Sequence, residues 1–354
     1  MGQPQITVAF RKAAETANTR SARGVACVVI KDTAVTGLHT YTRKAQIKES
    51  YTDSTFKEVL EEGFTKYGTN TIKVVSIGED GTIDDVISLI KKVEINYLAF
   101  DYELSEEDIT KLKAFKELRV KNNMDLQIIL AGKEVDDKYF INYASTGLKI
   151  NNVAMTPERL TIKAAFIFSA LPANKSATYF VLDDVTAVDE IEDEDAAADQ
   201  GKLIILFDGE KFKFGRAVNS MTTLGTEDKP SMKKIKVVEN SILVKCDLAK
   251  IFRDEYVSLD NNFDNRTLYA GNATEYLRIL GQEGVVNKDA NNYIEMDVEE
   301  MRNYIEKEVG VDTSKMSDTD ILKDVDGYLG SHIFPTGNVR YSDAMEDMDM
   351  KLFF

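Results

Sequence analysis

The stretch TIDDVISLIKKVEINYLAF, residues 82–100, holds a helix and a strand in succession. Thr82 can cap a helix, and the apolar residues that follow recur three and four positions apart, which is the spacing of one helical face. The run NYLAF, 96–100, then has the composition of a buried strand. The same order returns downstream, where Ser105 opens a helix and LQIIL, 126–130, is a strand.

A third helix begins at Thr156 and Pro157, because Thr is a good cap and Pro is favoured in a first helical turn. Strands that alternate with amphipathic helices at this spacing predict βαβ units. Parallel strands need such crossovers, so the sheet is expected to be parallel and covered on both faces. The sequence therefore predicts an α/β core.

The residues before this core suggest a smaller unit. GVACVVIK, 24–31, and IKVVSI, 72–77, have the pattern of strands, and many Thr and Gly residues separate the short apolar pieces between them. Residues 54–67 show helical spacing instead. We predict a small, mainly β unit at 31–92.

An excursion from the α/β core is predicted at 177–220. Strands are expected at 178–182 and 203–207, and Asp208-Gly209 is a strong hairpin signal. The acidic run DEIEDED, 189–195, lacks the Gly and the Glu of an EF-hand calcium loop, so a solvated loop is the favoured interpretation.

The last third of the chain again mixes helices and strands. Pro335 and Gly337 are expected to break the chain before its final segment. The predicted elements are a strand at 235–238, helices at 241–257 and 272–280, a strand at 293–296, a helix opened by Asp297 and closed by Gly310, and a weaker segment at 321–329.

Both ends of the chain carry alternating apolar residues. A strand at a chain end must join a sheet that already exists, because an unpaired strand exposes its backbone donors and acceptors. That sheet belongs either to the same subunit or to another one, and the pattern alone leaves both open. The alternating residues are Ile6, Val8 and Phe10 at the amino end, and Met348, Met350, Leu352 and Phe354 in DAMEDMDMKLFF, 343–354.

Composition limits the classes of partner. The net charge of -16 at pH 7 argues against a nucleic-acid surface, which needs clustered Lys and Arg. No segment approaches the roughly 20 apolar residues that cross a bilayer, and the amino end has no signal-peptide core. These features predict no nucleic-acid binding, no membrane insertion and a cytoplasmic location.

Catalytic motifs are not found. The two histidines, His39 and His332, lie beside no nucleophile motif, and Cys/His metal sites are excluded by count. The loop GEDG, 78–81, joins a strand to a helix but has no Lys and carries two acids that would repel phosphate. We therefore predict no catalytic, cofactor-binding or metal-binding residues, and an enzyme or nucleotide-binding protein remains an alternative that rests on the α/β fold alone.

Several stretches, taken in order, resemble contractile tail sheath proteins of myophages and R-type bacteriocins, over nearly the whole chain. The stretches are RAVNSMTTL (216–224), KIKVVEN (234–240), RTLYAGN (266–272) and DAMEDMDMKLFF (343–354). The resemblance implies an α+β multidomain protein. Its parts would be an amino-terminal arm and first strand (1–30), a β-sandwich-like domain (31–92), an α/β subtilisin-like domain (93–243), a carboxy-terminal α/β domain (244–335) and a carboxy-terminal arm (336–354).

The resemblance also implies a function. The family's subunits donate both terminal arms to neighbours by strand addition, polymerise around a tail tube and contract to drive the tube through a cell envelope. By similarity the partners would be further copies of the chain, the tube protein, and baseplate and tail terminator proteins. Assembly would take place in the host bacterial cytoplasm, and the product would be a phage or bacteriocin tail or another contractile injection system.

Overall fold

The computed structural model describes residues 24–226 and 228–351. They divide into two compact units. The first contains residues 24–243 together with 343–351, and the second contains residues 244–342.

In the described residues the strands are β1 (Val25–Lys31), β2 (Gly37–Tyr41), β3 (Thr71–Ile77), β4 (Tyr97–Phe100), β5 (Gln127–Ala131), β6 (Phe140–Tyr143), β7 (Lys149–Ile150), β8 (Val153–Ala154), β9 (Val185–Ala187), β10 (Lys202–Leu203), β11 (Ile205–Phe207), β12 (Phe212–Phe214), β13 (Tyr293–Met296) and β14 (Pro335–Asn338). The helices are α1 (Ser54–Thr65), α2 (Ile83–Ile90), α3 (Glu106–Lys121), α4 (Pro157–Ala170), α5 (Glu194–Asp199), α6 (Ile235–Ile251), α7 (Phe263–Gln282), α8 (Val298–Tyr304) and α9 (Asp318–Lys323). Single wider turns, Phe252–Tyr256 and Ile305–Val309, continue α6 and α8.

A seven-stranded sheet in the order β10-β6-β5-β4-β1-β3-β2 forms the centre of the first unit. Every neighbouring pair is parallel except β2 with β3, at one edge. Alternate residues of β1 pack into the two hydrophobic cores on opposite faces of the sheet, because successive side chains of a strand point to opposite faces. Val28 packs in the core with α1 and α4, and Val29 in the core with α2 and α3. The predicted α/β class and parallel sheet are confirmed.

The predicted helix starts of this core are also found. The Ser105 hydroxyl accepts the Asp108 N–H at 3.2 Å, and the Asp108 carboxylate accepts the Ser105 N–H at 3.0 Å. Thr82 and Asp85 form the same reciprocal cap before α2. Such caps depend on residues three positions apart, which is why sequence reveals them.

The small β unit expected at 31–92 is not separate. Its strands β2 and β3 belong to the main sheet, where β3 pairs with β1 along its whole length from Val25↔Thr71 to Lys31↔Ile77. The paired strands β1 and β3 are buried along most of their length, so each is stabilised by cover on both faces and by hydrogen-bonded neighbours. The sandwich prediction for this stretch is corrected accordingly.

The excursion is partly as predicted. Asp208-Gly209 turns the antiparallel hairpin of β11 and β12, and Gly209 adopts a φ of 96° that favours glycine. The segment 178–182 is not a strand, although it runs beside β12 with the Leu182 N–H donating to the Phe212 carbonyl at 2.8 Å. Tyr179, at a φ of 58°, interrupts the extended backbone that a strand requires.

Two helices start earlier than predicted. The strand expected at 235–238 is the first turn of α6, since a short apolar run does not distinguish a strand from a buried helix. The helix expected at 272–280 is the end of α7, which begins after Asn262, whose side chain accepts the Asn265 N–H at 2.9 Å. Polar residues along the first half of α7 hide its periodicity.

The second unit contains a two-stranded antiparallel sheet, β13 with β14, against which α7 packs. The Thr274 hydroxyl of α7 accepts the Ile294 N–H at 2.9 Å.

Pro335 and Gly337 lie in β14, so they do not break the chain as predicted. Because this unit extends to Ser342, the start expected for the carboxy-terminal arm, residue 336, is too early. Residues 343–354 are called the terminal segment below.

Candidate assembly site at the terminal segment

The carboxyl edge of the sheet is where an open α/β protein usually binds a ligand, at the point where the strand order reverses. That point lies between β1 and β4. Asp32, just after β1, accepts the N–H groups of Ala34 at 2.7 Å and Thr52 at 2.7 Å. Burial raises the pKa of Asp32, but these hydrogen bonds outweigh burial and the pKa is lowered. The carboxylate is therefore already engaged in holding local backbone.

Asp101, just after β4, is held in the same way by an arginine. Arg159 of α4 donates to Asp101 at 2.6 Å and to Asp53, the cap of α1, at 2.7 Å. Burial raises the pKa of Asp101 even though Arg159 opposes the shift. This ion-pair network joins β4, α1 and α4, so these groups serve the fold.

The other candidate groups, which are the 78–81 loop, His39 and His332, also lie in local structural contacts. The Asp85 carboxylate occupies the N-terminus of α2, where the 78–81 loop would have placed a phosphate. His39 contacts the Thr36 carbonyl at 3.0 Å, and His332 contacts the Tyr304 hydroxyl at 3.0 Å. No group of three His, Cys, Asp or Glu in the described residues could hold a metal ion. No helix in that part of the chain is long and apolar enough to cross a membrane.

The terminal segment begins with a cluster of ion pairs to the first unit, which we call the clasp. Glu346 is its centre: its side chain is 5% exposed, accepts the Thr178 hydroxyl at 2.7 Å and lies 3.0 Å from the Lys234 ammonium. The clasp residues are Thr178, Arg216 and Lys234 on the first unit's surface, and Asp343, Glu346 and Asp347 on the segment.

The flanking acids of the clasp complete the attachment. Asp343 lies 2.9 Å from Lys234, and Asp347 lies 2.6 Å from Arg216. Burial disfavours the charged form of Lys234, but its hydrogen bonds to Asp343 and Glu346 outweigh burial and raise its pKa. Charge-assisted hydrogen bonds of this kind are about twice as strong as neutral ones. The start of the terminal segment is therefore fixed to its own subunit.

Three of the stretches that carry the family resemblance meet at this clasp. Arg216 is the first residue of RAVNSMTTL, Lys234 is the first of KIKVVEN, and Asp343 is the first of DAMEDMDMKLFF. Arg216 and its partner Asp347 are 131 positions apart. The three stretches are far apart in the sequence, and the fold brings their first residues together at the clasp.

Beyond the clasp the described residues of the segment are exposed. Residues 347–351 form no strand, and Met348 and Met350 are 77% and 61% exposed. The other predicted intersubunit residues, Ile6, Val8, Phe10, Leu352 and Phe354, lie outside the described residues. The partners of all seven stay a prediction.

The second unit contains the candidate acceptor, the sheet of β13 and β14. Within the described residues these two strands pair with no further strand. One edge of the sheet is already occupied, because the Ile294 N–H and carbonyl of β13 are bonded to the Thr274 hydroxyl of α7. A further strand would therefore have to add beside β14.

No family model matches the chain. A tail sheath protein of Clostridium phage phiCD119 is 26% identical over 362 aligned positions, which cover 99% of this chain and 99% of the relative. The chain is homologous to this tail sheath protein over its whole length. It shares its fold with solved structures as well. A sheath tail protein from Listeria innocua has a TM-score of 0.69 at 12% identity, covering 82% of this chain and 92% of the other.

A second structural match covers more of the chain. The helical sheath of the anti-feeding prophage, solved in its contracted state, has a TM-score of 0.67 at 13% identity, covering 94% of this chain and 93% of the other. At such low identity these two structures establish the fold, whereas the phage relative carries the homology in sequence.

Proposed function

We propose that this chain is the structural subunit of a contractile tail sheath, which polymerises around a tail tube and contracts. The single observation that carries the proposal is the exposure of Met348 and Met350 just beyond the clasp. A monomer gains nothing from presenting these apolar side chains to water. The full-length similarity to a phage tail sheath protein supports the same function.

The terminal segment is the proposed donor, and the sheet of β13 and β14 in a neighbouring copy is the proposed acceptor. Strand addition to a sheet edge supplies backbone hydrogen bonds, and alternate side chains supply the apolar contact. The donor residues are Met348, Met350, Leu352 and Phe354. Ile6, Val8 and Phe10 form the corresponding strand of the amino-terminal arm.

The energetics favour a polymer with many weak joints. Each buried Met, Leu or Phe contributes roughly 1.5 to 3 kcal/mol before the cost of ordering the segment. One joint is therefore modest, but two per subunit, repeated along a lattice, give avidity well above either contact. Because donor and acceptor are different surfaces, the contact is heterologous and can build an open helical tube.

The clasp gives this polymer a mechanical connection. When a sheath subunit moves, the pull on its donated strand reaches the first unit through Glu346 and its partners. The clasp residues lie on the loop between α4 and β9, the loop after β12 and the residue before α6, so the load enters the fold at three points. This arrangement lets neighbours stay joined while they change position.

The proposed role is structural and not catalytic. A tube protein, a baseplate and a tail terminator are the further proposed partners. Two structures of the anti-feeding prophage support assembly into a helical sheath that associates with a baseplate. They are the contracted helical sheath and a baseplate structure, which is matched with a TM-score of 0.66. Assembly is proposed in the host cytoplasm, with the tail particle as the final location.

The test compares the two faces of the terminal segment in the full chain. In one variant Met348→Gln and Met350→Gln make the apolar face polar, and in the matched control Asp349→Asn and Lys351→Gln alter the opposite face. Negative-stain microscopy and sedimentation follow tube formation with and without a tube template. We expect tubes from the wild type and the control, and monomers from the first variant.

A chain truncated after Asp347 separates the donor strand from the clasp. It keeps Glu346 in place and removes the alternating residues, so it is expected to remain folded and monomeric. Tubes formed by this truncation as readily as by the full chain would refute strand donation by the terminal segment. A monomeric wild type at every concentration, even with a tube template, would refute the sheath function.

A further inference from the structure

The terminal segment is rich in exposed methionine. Met345, Met348 and Met350 are 103%, 77% and 61% exposed, whereas Met221 and Met301 in the two cores are 4% and 0% exposed. Methionine sulfur is oxidised according to its accessibility. Among the methionines of the described residues these three are the exposed ones, so their thioethers are the most accessible to a dissolved oxidant.

The chemistry is an oxygen transfer from a peroxide. The sulfur lone pair of the thioether attacks one peroxide oxygen, a sulfur–oxygen bond forms and the oxygen–oxygen bond breaks. The sulfur loses two electrons, and hydrogen peroxide is reduced to water. The product, methionine sulfoxide, is polar, and methionine sulfoxide reductases reverse the change.

We propose that Met348 and Met350 form an oxidation-sensitive modification site that controls whether a free subunit can donate its terminal strand. The inference rests on the proposed function, because it needs the strand to be buried by a neighbour. A sulfoxide on the apolar face must lose its hydration when the strand adds to the acceptor sheet, and that cost opposes assembly. Once the strand is buried in a sheath, the same sulfur atoms are protected.

The three methionines occupy different positions in the segment, so their oxidation is expected to have different effects. Met345 lies inside the clasp stretch and is out of step with the alternating set, whose members are two positions apart. The clasp itself consists of carboxylates, a guanidinium, an ammonium and a hydroxyl, none of which peroxide converts under mild conditions. Oxidation therefore leaves the segment attached to its own subunit and acts at the contact with the next.

The experiment treats the full chain with dilute hydrogen peroxide, either as free subunits or as assembled tubes. Mass spectrometry measures sulfoxide at each methionine, and sedimentation measures the critical concentration for polymerisation. We expect sulfoxide at all three exposed positions in free subunits and protection of Met348 and Met350 in tubes. Two sulfoxides should raise the critical concentration by roughly tenfold or more.

Two variants assign the effect. Met348→Leu with Met350→Leu keeps the apolar face and cannot form sulfoxide there, so its assembly is expected to resist peroxide. Met345→Leu alone is the matched control and is expected to remain as sensitive as the wild type. Treatment with methionine sulfoxide reductases is expected to restore assembly of the oxidised wild type, and circular dichroism checks that the fold persists.

Failure of the inference is distinct from failure of the sheath function. Untreated chains that never polymerise would refute both. Chains that polymerise equally well with sulfoxide at Met348 and Met350 would overturn the inference and leave the function standing. Loss of assembly in the oxidised Leu double variant would also overturn it, because the responsible sulfur would lie elsewhere.

Discussion

At the residue scale, Glu346 is the main contact that attaches the start of the terminal segment to its own subunit. Its buried carboxylate meets the Thr178 hydroxyl, the Lys234 ammonium and, at 3.8 Å, the Arg216 guanidinium. A buried charge is tolerated only when its partners are in place, and removing one member leaves the others uncompensated. The neighbouring methionines have no such partners and extend into solvent.

Replacement of this carboxylate is expected to loosen the segment. Glu346→Gln preserves size but removes the charge that faces Lys234, so docking of 343–347 should weaken by about 1 to 3 kcal/mol. Hydrogen exchange of the segment's amides and its rate of proteolysis measure the change. Asp349→Asn, at an exposed position beyond the clasp, is the control and should leave both unchanged. Equal protection in the two variants would show that the clasp does not hold the segment.

At the element scale, the pairing of β13 and β14 depends on a close approach at Gly337. A Cβ at this position would lie 2.2 Å from the Tyr293 carbonyl oxygen and 2.7 Å from the Ile294 Cδ1 atom. Only glycine fits against a backbone atom at that distance. The residue that suggested a chain break from sequence is therefore needed for the strand.

Gly337→Ala is expected to displace β14 and so to remove the acceptor while leaving the donor intact. Local stability should fall by about 1 to 3 kcal/mol. The variant alone should not form tubes, and a small fraction mixed into wild type should shorten them, because it can add to an end but offers no edge for the next subunit. Tube length by microscopy measures the effect. Thr336→Ala, exposed on the same strand, is the control. Normal tubes from Gly337→Ala would exclude this sheet as acceptor.

At the scale of the whole molecule, charge opposes assembly. A net charge of -16 makes free copies repel one another at low salt. The repulsion acts over about 30 Å at 0.01 M salt and over only about 8 Å at 0.15 M. Apolar strand contacts are not weakened by this screening.

Salt is therefore expected to promote polymerisation. Between about 0.01 M and 0.15 M sodium chloride the critical concentration should fall severalfold, because repulsion is screened while apolar burial persists. Sedimentation over a salt series measures this trend. A critical concentration that rises with salt would mean that opposite charges across the interface, and not apolar strands, dominate the contact.

The local signals in the sequence determined much of the fold. The caps at Thr82 and Ser105, the Asp208-Gly209 hairpin and the alternation of strands with helices depend on residues a few positions apart, so one chain read in order reveals them. Tertiary structure decided the rest. The strands of 31–92 join the main sheet, and α6 and α7 begin early, because packing partners far along the chain settle ambiguous or polar runs. The clasp follows the same rule. Its acids looked ordinary among 60 Asp and Glu, and only folding brings Asp347 to Arg216, 131 positions away, since electrostatic partners are chosen by distance in space and not by order in sequence.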